Sequence, residues 1–144
     1  MFSKKRSVGI FVSVVILMLA VVAAGCSSTA KAREKGVNVD MTNFAFNLDK
    51  TEVPAGKITF HVKNAKDAVE HEMVVIKTDL DAGQLPTNAD QTVDESKLDS
   101  KGEVEVEAGE TKDLTVDLTP GHYVLLCNIP GHYAQGMVAN FTVQ

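Results

Sequence analysis

From Val37 onward the chain alternates apolar and polar residues with a period of two, and this alternation limits the possible folds more than any other feature. The runs VNVDM, KITFHV, MVVIK, EVEVE, DLTVDL, HYVLLC and MVANFTV are rich in Val, Ile, Thr and aromatics, residues that suit a pleated, half-buried surface. Turn formers separate them, at Pro54-Ala55-Gly56, Ala108-Gly109-Glu110 and Pro120-Gly121,. A further short strand is expected near Asn43–Leu48. Seven or eight short strands with such turns predict an all-β domain, an antiparallel Greek-key β-sandwich. Thr78–Gly102 departs from the pattern. It is rich in Asp, Thr, Asn and Ser, with Pro86 in the middle and Leu80, Leu85, Val93 and Leu98 as its larger apolar points. It reads as an irregular or partly helical excursion, and loops of this length in compact domains tend to be functional or mobile.

The same alternation assigns faces. In Lys57-Ile58-Thr59-Phe60-His61-Val62 the apolar residues 58, 60 and 62 face the core, which turns His61 to solvent. In His122-Tyr123-Val124-Leu125-Leu126-Cys127, residues 123, 125 and 127 share the inner face and His122 lies on the outer one.

The first 25 residues stand outside this pattern. Lys4, Lys5 and Arg6 precede an apolar run from Val8 to Ala24, which closes on Ala23-Ala24-Gly25-Cys26. A basic start, an apolar middle and a small-residue exit describe an export signal over residues 1–25. Residues 26–36 follow as a small, polar, flexible tether, and residues 37–144 form the folded domain. The last four residues of the signal resemble the lipobox of bacterial lipoproteins, in which the cysteine is acylated. That resemblance implies lipidation of Cys26 and a lipid anchor in the membrane; Ala23 is a departure, since a larger aliphatic residue is more usual there. An uncleaved membrane anchor is the competing reading, although the run falls slightly short of the roughly 20 apolar residues that span a bilayer. Both readings put residues from Ser27 onward outside the cytoplasm, in a bacterial periplasm or on the cell surface, because the positive charges stay inside.

Removing residues 1–25 takes three of the 14 basic side chains and none of the 19 acidic ones, which deepens the net charge from −5 to −8. Such a field argues against nucleic acid as a partner and is compatible with basic proteins. Acidity for solubility alone explains it equally well. Acylation of Cys26 leaves Cys127 with no disulfide partner, an oddity in an exported protein. A Cys26–Cys127 disulfide is the alternative, but Cys26 sits ahead of a polar tether where a staple has little to hold.

Residues 127–137, CNIPGHYAQGM, place a thiol, an imidazole and a thioether close together around Pro130, Gly131 and Gly136. Cys127 ends one strand and Met137 begins the next, so the loop between them can wrap a metal. Three other histidines compete to complete the set. His122 lies about 17 Å from Cys127, at about 3.4 Å per residue, and on the opposite face. His61 faces solvent in mid-strand. His71 opens the strand MVVIK at a strand end, where a sandwich presents side chains to its loops. A thiolate, two imidazoles and a distant thioether form the blue-copper electron-transfer donor set, acceptable to both Cu(I) and Cu(II). Zinc could take the Cys and two His with a water, leaving Met137 unused.

The stretch from Gly121 to His132, followed by Gly136-Met137, resembles the copper loop of the cupredoxins, the type 1 blue copper proteins. Its Cys-x4-His spacing is closer to azurin and rusticyanin than to plastocyanin. Upstream, Val53-Pro-Ala-Gly56, Phe60-His-Val-Lys-Asn64 and then His71 match the family's first ligand region. The resemblance implies one type 1 copper per chain, with His71 and His132 as imidazole ligands, Cys127 as thiolate and Met137 as axial ligand. Cupredoxins often carry Asn or Ser just after the first histidine, where it helps fasten the ligand loops; here that residue is Glu72.

The expected function is therefore one-electron shuttling between redox proteins, such as a cytochrome or a copper enzyme, by a monomer that is not itself an enzyme. A copper carrier that transfers or buffers the metal is the alternative, though the chain lacks the Met- or His-rich tracts suited to transient capture. A multicopper enzyme needs further histidine clusters, and only His61 and His122 remain.

Overall fold

The computed structural model describes residues 35–144. The expected leader, Cys26 and most of the tether lie outside the described residues. Nine strands are described: β1 (Lys35–Thr42), β2 (Ala45–Leu48), β3 (Glu52–Val53), β4 (Gly56–Asn64), β5 (His71–Lys77), β6 (Asp99–Val106), β7 (Thr111–Leu118), β8 (Gly121–Leu126) and β9 (Val138–Val143). Eight coincide with the expected runs. The ninth, β3, is two residues long and leaves almost no periodicity to read. The irregular stretch ends at Leu98 rather than Gly102, because β6 begins at Asp99, and its helical content is a single 3-10 turn at Glu95–Lys97. At the other end, Lys35 and Gly36 belong to β1 rather than to the tether. Gly36 pairs with Thr59, and a Cβ on it would stand 3.0 Å from His61 Nε2. Among the described residues no helix is long and apolar enough to cross a membrane.

The strands form two sheets, ordered β2-β1-β4-β7 and β3-β9-β8-β5-β6. The sandwich is not wholly antiparallel: β1 runs parallel to β4, and β3 parallel to β9. The chain passes through β2 and β3 between β1 and β4, and through β4 to β8 between β3 and β9, and parallel pairing by such long crossovers is not encoded in local alternation.

Between the sheets lies a core of alternate residues: Val37, Val39 and Met41 from β1, Ile58, Phe60 and Val62 from β4, Met73 and Val75 from β5, Tyr123 and Leu125 from β8. Phe60 meets Phe141 edge-on at 5.3 Å between ring centroids, a favourable aromatic geometry. Faces fall as the alternation predicts, with His61 exposed and bonded through Nδ1 to Asp113 Oδ1 at 2.7 Å.

In β5 and β8, however, both faces are buried. Val74, Ile76, Val124 and Leu126 point away from the main core into a second one, closed by Leu85 and Val93 from the excursion and by Tyr133. The excursion thus covers the outer face of the second sheet. Burying these side chains stabilises the domain by about 1.5–3 kcal/mol for each large aliphatic residue taken fully out of water. His122, on the same outer face, is half-buried rather than solvated: its ring bonds the Thr78 carbonyl at 2.8 Å and Asn140 Oδ1 at 3.1 Å.

Candidate metal centre

His71 is delivered by a strand. It is the first residue of β5, pairs with Val106 on β6, and is fully buried. The connection before it is closed by Asn64, also fully buried, whose Nδ2 donates to the carbonyls of Val69 at 2.7 Å and Val106 at 2.9 Å. That one side chain stands in for missing ladder partners where β4 ends.

Cys127, His132 and Met137 are delivered by a loop. The Cys127 N–H donates to the Met137 carbonyl at 3.1 Å and closes the loop at its base. Inside it, the N–H of His132 bonds Ile129 and the N–H of Met137 bonds His132, at 3.0 and 3.1 Å. The turn needs left-handed backbone at Gly131 (φ 84°) and Gly136 (φ 95°), where any side chain is strained. Cys127 and Met137 are fully buried and His132 is half-buried.

These elements bring three donor atoms together. The two histidine Nδ1 atoms are 3.2 Å apart, Cys127 Sγ is 3.3 Å from His132 Nδ1, and it is 4.0 Å from His71 Nδ1. A point equidistant from the three lies about 2 Å from each, which matches metal–nitrogen and metal–sulfur bonds of about 2.0–2.3 Å. Among the described residues His71 Nε2 has no hydrogen-bond partner, whereas its Nδ1 faces His132 and Cys127.

Protonation reinforces the fit. Burial pushes the His71 pKa down, with the neighbouring His132 adding to the effect, and burial also lowers that of His132. Both rings are therefore held neutral, with lone pairs for a cation. Burial pushes the Cys127 thiol up, and backbone N–H groups of Glu72 and Ile129 oppose this only in part. Such a thiol gives up its proton when a metal takes the sulfur. Two soft or borderline nitrogens, a sulfur and a buried thioether at the loop's end form a donor set that suits copper better than zinc or magnesium.

Several contacts in this arrangement were not legible in the sequence. The Glu72 N–H donates to Cys127 Sγ at 3.3 Å, so the residue after His71 joins the two candidate ligand regions, through its backbone. Its carboxyl pKa rises from 4.5 to about 7, first through burial and then through Glu103, Glu95 and Glu105, against the pull of the Asn128 N–H. Phe44, at the tip of the β1–β2 hairpin, sits in left-handed backbone (φ 63°) and meets the His132 ring edge-on at 5.3 Å. A bulky residue there carries strain on the order of 1–2 kcal/mol. Asn64 and Phe44 left no signal in the period-two pattern. The uninterrupted apolar runs of β5 and β8 were a signal that something covers their outer face.

A β-sandwich with one thiol and two neutral imidazoles converging at its end defines a small metalloprotein with a mononuclear soft-donor centre. Residues 33–144 match the family of copper binding proteins described as plastocyanin/azurin, and the chain belongs to that family. Its resident group is accordingly one type 1 copper. Among solved structures, dithionite-reduced auracyanin from Roseiflexus castenholzii is 28% identical, with a TM-score of 0.56, over 77% of this chain and 98% of that one. Auracyanin A from Chloroflexus aurantiacus is 23% identical, with a TM-score of 0.55, over 76% and 98%. Reduced rusticyanin is 21% identical, with a TM-score of 0.57, over 76% and 78%. No curated protein matches the sequence.

Proposed function

We propose that this protein is an extracytoplasmic one-electron carrier whose copper is held by His71, Cys127, His132 and Met137. The observation that carries the reading is the convergence of two imidazole nitrogens and a buried thiol on one point at bonding distance from all three. When bound, copper supplies a Cu(I)/Cu(II) couple. The chain's own residues do the rest. Strand and loop hold the donors in one geometry that suits both oxidation states, and burial of His71, Cys127 and Met137 excludes water, so little rearranges when charge changes. Auracyanin A is described as a "blue" copper protein, and we extend that chemistry to this chain.

His132 is the half-exposed donor, and its edge, among Ile129, Pro130 and Ala134, is the electron port through which redox partners, such as a cytochrome or a copper enzyme, are met. The domain performs no substrate chemistry of its own. Residues 1–25 act as an export signal, Cys26 carries the lipid anchor, and residues 26–36 tether a monomeric domain to the membrane surface. Adding Cu(II) to a chain beginning at Ser27 tests the site. An intense visible charge-transfer band is expected, and a colourless protein sinks the reading. Rapid, reversible one-electron cycling without loss of metal separates a carrier of electrons from a carrier of copper. Replacing Ala134 with Glu should slow electron transfer to a partner and leave the spectrum unchanged.

A further inference from the structure

The excursion between β5 and β6, residues 78–98, touches the loop of residues 127–137 at two side chains, and each directly follows one of the proposed ligands. After Cys127 comes Asn128. Its Oδ1 accepts the Val93 N–H at 2.5 Å, while its Nδ2 donates to the Val93 carbonyl at 3.2 Å and to Glu95 Oε1 at 2.6 Å. After His132 comes Tyr133, buried to 8% exposure. Its hydroxyl accepts the Leu85 N–H and donates to the Ala82 carbonyl, both at 3.0 Å. Together the two side chains make five hydrogen bonds to the excursion, and these use nearly all their polar capacity.

The excursion is itself secured to the sheet. His122 on β8 bonds the Thr78 carbonyl, and the Ala82 N–H donates to Asn140 Oδ1 on β9 at 3.0 Å. Thr87 and Val93 form a bridge, and the Asn88 side chain bonds Thr92 Oγ1. Leu85 and Val93 are sunk into the outer core. Covering that apolar face requires only the apolar side chains of Leu85 and Val93, with Ala82 and Leu98 packed beside them. It does not require backbone groups of residues 82, 85 and 93 to be spent on the residues that follow the two ligands.

We propose that the excursion is a brace that holds the segment between Cys127 and His132 at fixed length, with Asn128 and Tyr133 as its positioning residues. The proposal rests on the reading of Cys127 and His132 as metal ligands, and it says how their spacing is kept when the metal is absent or changes charge. A brace anchored on β8 and β9 makes the loop's geometry a property of the fold rather than of the ion.

Amide hydrogen exchange of the metal-free protein tests this without copper. In Tyr133→Phe, which keeps the ring in the outer core and removes both hydroxyl bonds, the amides of His132, Gln135 and Met137 should exchange about tenfold faster, on the scale of losing a pair of buried hydrogen bonds. The amides of Phe60 and Val62 in β4, which report opening of the whole domain, should change much less. Asn128→Ala should act in the same way, and Asn128→Asp, which sets an anionic oxygen against Glu95 Oε1 and the Val93 carbonyl, should give no more protection than Asn128→Ala. Unchanged loop exchange in Tyr133→Phe overturns the brace, and so does a rise matched in β4, which is plain destabilisation. Copper titration supplies the separate arm. A colourless wild-type protein overturns the ligand reading while exchange still decides the brace, and a coloured wild type whose visible band shifts in Tyr133→Phe supports both.

Discussion

His71 is carried to the site by a strand, whereas Cys127, His132 and Met137 are carried by a loop. On the strand side, position comes from sheet register and from packing: His71 faces Val106 across the ladder, beside Met73 and Val75 of the main core. On the loop side no ladder runs between residues 127 and 137, and position comes from turns, two left-handed glycines and bonds to distant segments. Backbone pairing places a donor at the cost of freedom to adjust it. A loop allows length and sequence to vary, but it needs outside support to reach similar precision. The contrast implies that damage to the main core should lower stability as a whole, while damage to the loop should act on the site first.

The largest effect expected is on the loop side. Cys127→Ala removes the thiolate and should abolish the intense visible band in a copper titration, with the apo-domain still folded by far-ultraviolet circular dichroism. A band that survives breaks the comparison at its root. Next is the main core. Phe60→Ala leaves a cavity against Phe141 and should cost about 3–5 kcal/mol in denaturant unfolding, with the copper spectrum of the remaining folded protein little changed. A spectrum altered as much as by loop changes would show that the two sides are not separable.

Smaller is Asn64→Ala, which strips the Val69 and Val106 carbonyls of a buried donor. It should cost about 1–3 kcal/mol and loosen the approach to His71, read as reduced stability together with slower copper uptake. The smallest is a pH effect in the metal-free protein. The folded pKa of Glu72 is about 7 against an unfolded value of 4.5, so the fold binds this proton more tightly than the unfolded chain does. Its contribution is full below pH 4.5 and is lost as pH rises to 7. Solvent screening of this half-exposed carboxyl keeps the loss to about 1 kcal/mol. His71 and His132 act in the opposite sense: their lowered pKa values give stability present above pH 6.5 and lost as pH falls. Comparing wild type with Glu72→Gln at pH 5 and pH 8 isolates the carboxyl, and the variant should gain at pH 8 only. Equal gains at both pH values would remove Glu72 as the cause.

Much of this was legible in residue order. Ile58, Phe60 and Val62 against His61, and Tyr123, Leu125 and Cys127 against His122, sort to opposite faces in the structure as their alternation requires. His71, Cys127 and His132 were legible as a set because few side chains can donate to a soft metal, and the other two histidines were on the wrong face or far along a strand. The parallel pairing of β1 with β4 was not legible, since alternation is the same whichever way a neighbour runs. Nor was the support of the loop: nothing in Asn128 or Tyr133 as residue types names a partner.

The sequence by itself determined the class of fold, the inward faces of the strands and the chemical identity of the candidate donors, because these follow from period, turn formers and side-chain chemistry acting over a few residues. Only the tertiary structure decided that Asn64 closes the approach to His71, that the Glu72 N–H reaches the sulfur, and that the excursion grips the loop. Those bonds join residues 35 apart between Val93 and Asn128 and 48 apart between Leu85 and Tyr133. A hydrogen bond depends on where two groups end up in space, and over such separations that position is set by how the sheets and their connections pack together.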